Sequence, residues 1–251
     1  MPAYDFHSPR IYVAERLAPG TAVSLEQAQA HYLLNVLRLG AGESVLVFNG
    51  QDGEWSAGLT VSGRKAASLE LMEQTRAQTP PCDLHYLFSP LKHARLDYMV
   101  QKAVEMGASR LQPVLTRHTQ VSRVNLARMR ANAIEAAEQC GILNLPDIAE
   151  PVSLQRLIDR FEPERLLVFC DEQAEVQDPI AALDAYACAR AARPSLAVLT
   201  GPEGGFAADE RQALLALPRV VRLALGPRIL RADTAAVAAL AMVQAALGDW
   251  R

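Results

Sequence analysis

The strongest constraint on this chain is a unit written twice near its carboxyl end. Leu196–Leu199 is a short apolar run, followed by Thr200-Gly-Pro-Glu-Gly-Gly205 and a helical stretch opening at Ala207-Ala-Asp-Glu210. Val220–Leu225 is a second apolar run, followed by Gly226-Pro-Arg-Ile-Leu-Arg231 and an alanine-rich helix from Asp233 onward. Strand, glycine-bearing loop and helix, repeated, predict two neighbouring parallel strands with their loops side by side. Open α/β sheets bind small ligands at that place.

The rest of the chain falls into two patterns. Residues 1–75 are rich in short runs with aromatic or β-branched enrichment: Arg10–Val13, Thr21–Ser24, Ser44–Phe48, Trp55–Val61 and Ala67–Met72. Asn49-Gly50 and Asp52-Gly53 mark a turn after the third run. One helix, Glu26–Leu39, sets Ala30, Leu33, Leu34 and Leu37 on one face, and Gly40 stops it. Short strands with one helix predict a small β-barrel. Gln78-Thr-Pro-Pro81 is the expected linker, because paired prolines favour extended backbone. Beyond it strands and helices alternate. Strands are expected at Leu84–Phe88, Leu111–Leu115 and Leu166–Cys170, and helices at Leu96–Met106, Asn125–Gln139, Leu154–Phe161 and Ile180–Ala191. The doubled unit completes an α/β domain with a parallel sheet covered on both faces, over residues 76–251.

Composition narrows the setting. Half of the 251 residues are hydrophobic and 21% are charged, as in a soluble globular protein. Met1–Asp5 has neither a basic start nor an apolar segment, so the expected location is cytoplasmic. Thr234–Leu247 is too short to cross a bilayer, so no membrane partner is expected. Cys82, Cys140, Cys170 and Cys188 are scattered without metal-ligand spacing; reduced thiols and no metal are expected. Residues 90–130 carry eight Lys or Arg against Asp97 and Glu105, whereas residues 131–185 carry twelve acids against three arginines. That segregation reads either as a face for phosphates or as two ordinary solvated helix faces.

The two late loops define the chemistry. Gly201-Pro-Glu-Gly-Gly205 lacks the Lys and Ser or Thr of a P-loop, and Glu203 disfavours a polyphosphate. Adjacent glycines let backbone approach a ligand closely, and Pro202 and Pro227 stiffen both loops. A rigid, backbone-lined, slightly acidic pocket suits a cationic adenosine compound such as S-adenosylmethionine. The alternative is a tight strand-to-helix turn and nothing more. Arg228 and Arg231 either stabilise an oxyanion or phosphate, or pair with Asp233 or Glu203. Asp233 stands where an N-cap is expected before Thr234.

Leu199-Thr-Gly-Pro-Glu-Gly-Gly205, Leu225-Gly-Pro-Arg-Ile-Leu-Arg231 and Asp233-Thr-Ala235 together resemble the bacterial 16S ribosomal RNA uridine-N3 methyltransferases of the knotted SPOUT class. The likeness extends through Arg10-Ile-Tyr12, His31, Val36–Gly40 and Gly42-Glu43, then Lys92, Gln101–Ala103, Glu105, Gly107 and Glu135–Gly141. It implies a PUA-like RNA-binding barrel, then a SPOUT domain with a carboxyl-terminal trefoil knot. It implies S-adenosylmethionine bound by three loops, Phe169–Glu172, Thr200–Gly205 and Leu225–Leu230, with Phe169, Cys170, Leu199, Thr200, Gly201, Glu203, Gly204, Gly205, Leu225, Gly226, Ile229 and Leu230 as binding residues. It implies 16S rRNA or the small ribosomal subunit as partner, and a homodimer. Arg228, Arg231 and Glu203 are the candidate catalytic residues, the arginines for charge on the uracil oxygens and Glu203, with Asp233, for the N3 proton. Arg117, Arg123 and Arg128 would meet RNA phosphates, and His31 and His118 would be either titrating or structural. Three positions depart from the family pattern: Ile142 where Arg is usual, Asp233 for Glu, and Arg117-His118 for Glu-Arg. A ribose 2′-O-methyltransferase of the same class and a non-catalytic ribosome-assembly factor are the rival readings.

Overall fold

The computed structural model describes residues 5, 7–63, 66–121, 123–175, 178–187 and 194–250. It divides into two compact units. The first comprises Met1–Pro80 with Ala137–Leu145, the second Pro81–Ala136 with Pro146–Arg251.

In the first unit β1 (Arg10–Tyr12), β2 (Ala22–Ser24), β3 (Ser44–Phe48), β4 (Glu54–Gly63) and β5 (Ala66–Arg76) form one sheet ordered β1-β3-β4-β5-β2. β1 runs parallel to β3; the other pairings are antiparallel. Alternate residues Val45, Val47, Ala57, Leu59, Leu69 and Leu71 point into a core with Leu33 and Ala30, each large aliphatic side chain adding about 1.5–3 kcal/mol on burial. Glu54, 2% exposed, holds Arg10 at 2.7 Å and Arg76 at 3.2 Å. Arg10 also donates to the Glu138 carbonyl at 3.2 Å, and Arg76 to that of Gly141 at 2.7 Å, so residues 137–145 belong to this unit's polar framework.

The expected helix Glu26–Leu39 is interrupted. α1 spans Gln27–His31 and passes into a wider turn over Tyr32–Val36, where the Leu37 amide reaches back to the Tyr32 carbonyl at 2.9 Å. The extra residue per turn rotates Leu37 off the apolar face, and it is 38% exposed. Arg38, at φ 59°, takes the left-handed position that ends the helix, before Gly40 is reached.

The second unit contains β6 (Leu84–Phe88), β7 (Arg110–Leu115), β8 (Asp147–Ile148), β9 (Val152–Ser153), β10 (Leu166–Cys170), β11 (Leu196–Thr200) and β12 (Val220–Leu223). Its helices are α2 (His93–Glu105), α3 (Leu126–Cys140, whose last turn is counted with the first unit), α4 (Leu154–Asp159), α5 (Pro179–Ala187), α6 (Ala208–Leu215) and α7 (Ala232–Leu247). The expected helix to Ala191, and Cys188, run past the described residues. All strand pairs are parallel, ordered β12-β10-β11-β6-β7-β8, with β9 also on β7. β11 is buried throughout, as a strand covered on both faces must be. α4 and α6 pack together over Leu87, Leu167, Phe169, Ala197 and Leu199. α7 packs against α2 and α5 through Ala236, Ala239, Leu240 and Val243.

The doubled unit is arranged differently from the expectation. Its two strands, β11 and β12, are not neighbours, because β10 lies between them and pairs with both. The crossover from β10 runs to β11 on one side, and the next, from β11, runs back past β10 to β12 on the other. The carboxyl edge of β10 is therefore a point of reversal, flanked by the loops of β11 and β12.

Candidate functional site

The chain leaves β10, β11 and β12 at Cys170, Thr200 and Leu223, and the three following loops line one cavity of about 260 Å³. That is near the lower end of the roughly 300–1,000 Å³ typical of small-molecule sites. Cys170, Thr200, Gly201, Glu203, Gly205, Leu225, Gly226, Arg228, Ile229 and Leu230 line it. Phe169, Leu199, Gly204 and Arg231 stand outside the lining. Phe169 is fully buried and meets Phe206 edge-on, ring centroids 5.0 Å apart, so it supports a lining residue from behind.

The glycines have a spatial reason. A Cβ at Gly201 would stand 2.5 Å from the Phe206 ring, and one at Gly205 would stand 2.7 Å from Glu172 Oε1. Gly205 also has φ 65°, in the left-handed region. A Cβ at Gly204 would instead stand 3.2 Å from the His118 Cβ. His118 Nδ1 lies 2.9 Å from the Gly204 carbonyl and 3.2 Å from that of Gly205. Carbonyls only accept, so Nδ1 carries the proton. The Arg117 amide donates to Glu210 Oε1 at 2.8 Å while Glu210 Oε2 accepts from the Ala207 amide at 3.0 Å. The loop leaving β7 thus braces the second half of the β11 loop and the start of α6. At the start of the β11 loop, the Thr200 hydroxyl bonds that of Tyr86 at 2.7 Å, and burial raises the Tyr86 phenol's pKa.

Charge is distributed by two arginine arrangements. Asp171, 3% exposed, is held by Arg211 at 3.0 Å and Arg222 at 2.9 Å. Burial works to raise its pKa, but the Arg211 bond, the Gln173 amide and Arg222 prevail and hold it below the ordinary value. Arg95, in the first turn of α2, donates to Glu203 at 2.7 Å and to both oxygens of Asp233 at 3.1 and 3.2 Å. The Arg95 hydrogen bond leads in depressing the Asp233 pKa, against a smaller effect of burial. Asp233 does not cap α7: the N-cap is Arg231, and Asp233 sits within the first turn, bonding the Thr234 amide at 3.0 Å. Burial pushes the Cys170 thiol up to about 12, so it is no nucleophile near neutral pH.

Arg95 and Arg211 are the site residues that the motifs did not single out; Asp171 falls within Phe169–Glu172, the first of the three loops that the resemblance implies. Arg95 is separated by 108 residues from Glu203 and 138 from Asp233, and no local pattern announces such a contact. It takes the acids that Arg228 and Arg231 had as expected partners; among the described residues, neither of those two arginines makes an ion pair or side-chain hydrogen bond. In the basic segment, Arg117 pairs with Asp209 and Arg128 with Asp97 on exposed surface, while His31 bonds Asn35 on an exposed turn. Among the described residues there is no acidic, His or Cys group suited to a metal ion, and no helix long and apolar enough to cross a membrane.

Comparison with known proteins places these features in a series. The sequence matches an RNA methyltransferase domain over residues 78–244 and an RNA methyltransferase PUA domain over residues 25–72. It is 30% identical over 236 residues to the ribosomal RNA small subunit methyltransferase E of Rickettsia conorii, covering 94% of each chain. It is 32% identical over 242 residues to the Synechocystis protein of the same name, covering 95% of this chain and 78% of that one. A crystal structure of the Neisseria gonorrhoeae ribosomal RNA small subunit methyltransferase E bound to S-adenosyl methionine has a TM-score of 0.84 and 28% identity, covering 98% of this chain and 100% of that one.

Proposed function

The chain belongs to the RNA methyltransferase family, with a PUA domain ahead of its catalytic domain, and we propose that it methylates N3 of a uridine in 16S rRNA of the small ribosomal subunit, using S-adenosylmethionine. The observation that carries the reading is the convergence of three loops, two of them glycine-bearing, on one cavity at the reversal of the sheet. The residues fit the cofactor. Gly201 and Gly205 leave backbone where a Cβ would collide, as close approach to an adenosine compound requires, and no lysine lines the cavity to favour a polyphosphate.

When bound, the cofactor supplies an electrophilic methyl carbon. The chain must do the rest. The backbone of 200–205 and 224–230 holds the donor in place, which is worth several kcal/mol of barrier. Uracil N3 is a poor nucleophile until its proton leaves. Arg228, on the cavity rim, and Arg231, at the start of α7, have charge to spare for the uracil oxygens as the anion forms. Glu203 lines the same cavity and meets Arg95 through Oε1, which leaves Oε2 to accept the N3 proton. Asp233 makes the poorer base, since both its oxygens are held by Arg95.

The same reading carries a knotted carboxyl-terminal segment, a homodimer and a cytoplasmic location. The order β12-β10-β11, with β11 inserted after β10 is laid down, supports the knot. Fully exposed Ile229 and half-exposed Trp250 are apolar surface that a second copy would cover. Nucleoside mass spectrometry of 16S rRNA from cells with and without the protein is the test. Loss of 3-methyluridine is expected. A lost ribose methyl would favour the 2′-O reading, and unchanged rRNA with no cofactor binding would favour an assembly factor.

A further inference from the structure

The β11 loop has two sides. Glu203 and Gly205 line the cavity, whereas Gly204 between them stands outside the lining, against His118. The carbonyls of Gly204 and Gly205 converge on one donor, His118 Nδ1, at 2.9 and 3.2 Å. The peptide that joins the two glycines is held at both ends, because the Gly205 amide donates to the Pro202 carbonyl at 2.9 Å. Two adjacent glycines are where the backbone of this loop has most freedom, so a restraint there changes the loop most.

His118 is itself presented by a closed turn. The Thr119 amide donates to the Thr116 carbonyl at 3.1 Å, and the Thr116 amide donates to Thr119 Oγ1 at 2.8 Å. Thr116 is buried, and between the two threonines the Arg117 amide donates to Glu210 Oε1 at 2.8 Å, which fastens the turn to α6 as well. A Cβ at Gly204 would stand 3.6 Å from His118 Nδ1 as well as 3.2 Å from its Cβ. Glycine at 204 therefore lets the loop lie close enough for one ring nitrogen to reach both carbonyls. Position 118 is also one of the three at which the chain leaves the family pattern, so the brace is a feature of this chain.

We propose that His118 is a positioning residue: from outside the cavity, it fixes the Gly204 and Gly205 peptides in their binding orientation before the methyl donor arrives. This rests on the reading of the cavity as the S-adenosylmethionine site. A loop ordered in advance loses less freedom on binding, which raises affinity. His118 is exposed and shares one proton between two carbonyls, so the gain is about fivefold, that of a single ordinary hydrogen bond. Only the Nδ1 donor is needed; the ring carries no proton to or from substrate.

The test compares wild type, His118→Ala and His118→Asn. The asparagine amide nitrogen can take the place of Nδ1 as a donor but cannot shuttle a proton near neutral pH. All three proteins should melt within about 2 °C of one another, as exposed substitutions do. His118→Ala is expected to raise the calorimetric Kd and the KM for S-adenosylmethionine about fivefold, with kcat on small ribosomal subunits within about twofold of wild type. His118→Asn should bring Kd and KM back to within about twofold of wild type. Unchanged affinity in His118→Ala overturns the proposal and leaves the cavity's assignment standing. Affinity in His118→Asn as weak as in His118→Ala also overturns it, because the Nδ1 donor is then not the cause. A fall in kcat of about tenfold or more in both variants overturns it too, by making the ring a proton carrier. Failure of the wild type to bind S-adenosylmethionine overturns both the proposal and the cavity's assignment.

Discussion

Arg95→Ala removes one guanidinium from two acids at once. Asp233 is the more enclosed partner, its side chain 17% exposed, and Glu203 the more open one at 44%. The double contact to Asp233 is the better geometry, worth about 1–1.5 kcal/mol once the 34% exposure of Arg95 is allowed for. The single contact to Glu203 adds about 0.5 kcal/mol. The expected cost is therefore about 2 kcal/mol, or a melting temperature lower by roughly 4–8 °C. The measurement is urea unfolding of wild type, Arg95→Ala, Asp233→Asn and the double variant. A coupling of about 1 kcal/mol between the two positions is expected, smaller in 1 M salt. Arg95→Lys should recover less than half, because an ammonium cannot present a planar fork to two acids. Strict additivity of the single changes would refute the clasp.

Three further outcomes follow from the same geometry. Burial, with Arg165 nearby, lowers His85 to about 4, against an ordinary 6.5; the unfolded chain therefore takes up a proton in that window that the folded chain refuses. Stability should fall by about 2 kcal/mol between pH 7 and pH 4.5, and His85→Gln should flatten that slope in urea titrations. Asp83, Asp171 and Asp233, all held below 3.8, lose their contribution only at lower pH, so the two effects separate. Arg228→Ala and Arg231→Ala should each lower turnover about 10²-fold with cofactor affinity within about twofold, read by single-turnover kinetics and calorimetry; unchanged turnover would remove that arginine from the chemistry. Gly201→Ala should weaken S-adenosylmethionine about tenfold or more, because its methyl group displaces the Phe206 ring that borders the cavity; unchanged affinity in calorimetry would mean the loop is only a turn.

What the sequence disclosed was local. Glycines and prolines announced the loops after β11 and β12, and apolar runs announced most strands within a residue or two; β5 runs on to Arg76, four residues past Met72, and the two-residue β8 and β9 carry no such run. Strand order was hidden, because nothing in Val220–Leu223 says that it pairs with Leu167–Cys170 rather than with β11. The Arg95 clasp was hidden for the same reason: its partners lie more than a hundred residues away. The wide turn at Tyr32–Val36 was missed because its apolar spacing, Leu33, Leu34 and Leu37, fits an ordinary helix equally well. Asp171 lies in a loop the resemblance named, but nothing local announces its partners Arg211 and Arg222, whose charges meet it only on folding.

The most direct test of the account is a crystal structure of the protein with S-adenosylmethionine at saturation. The expected density lies against the backbone of 200–205 and 224–230. Density for the cofactor elsewhere on an intact chain, with those loops empty, would contradict the account.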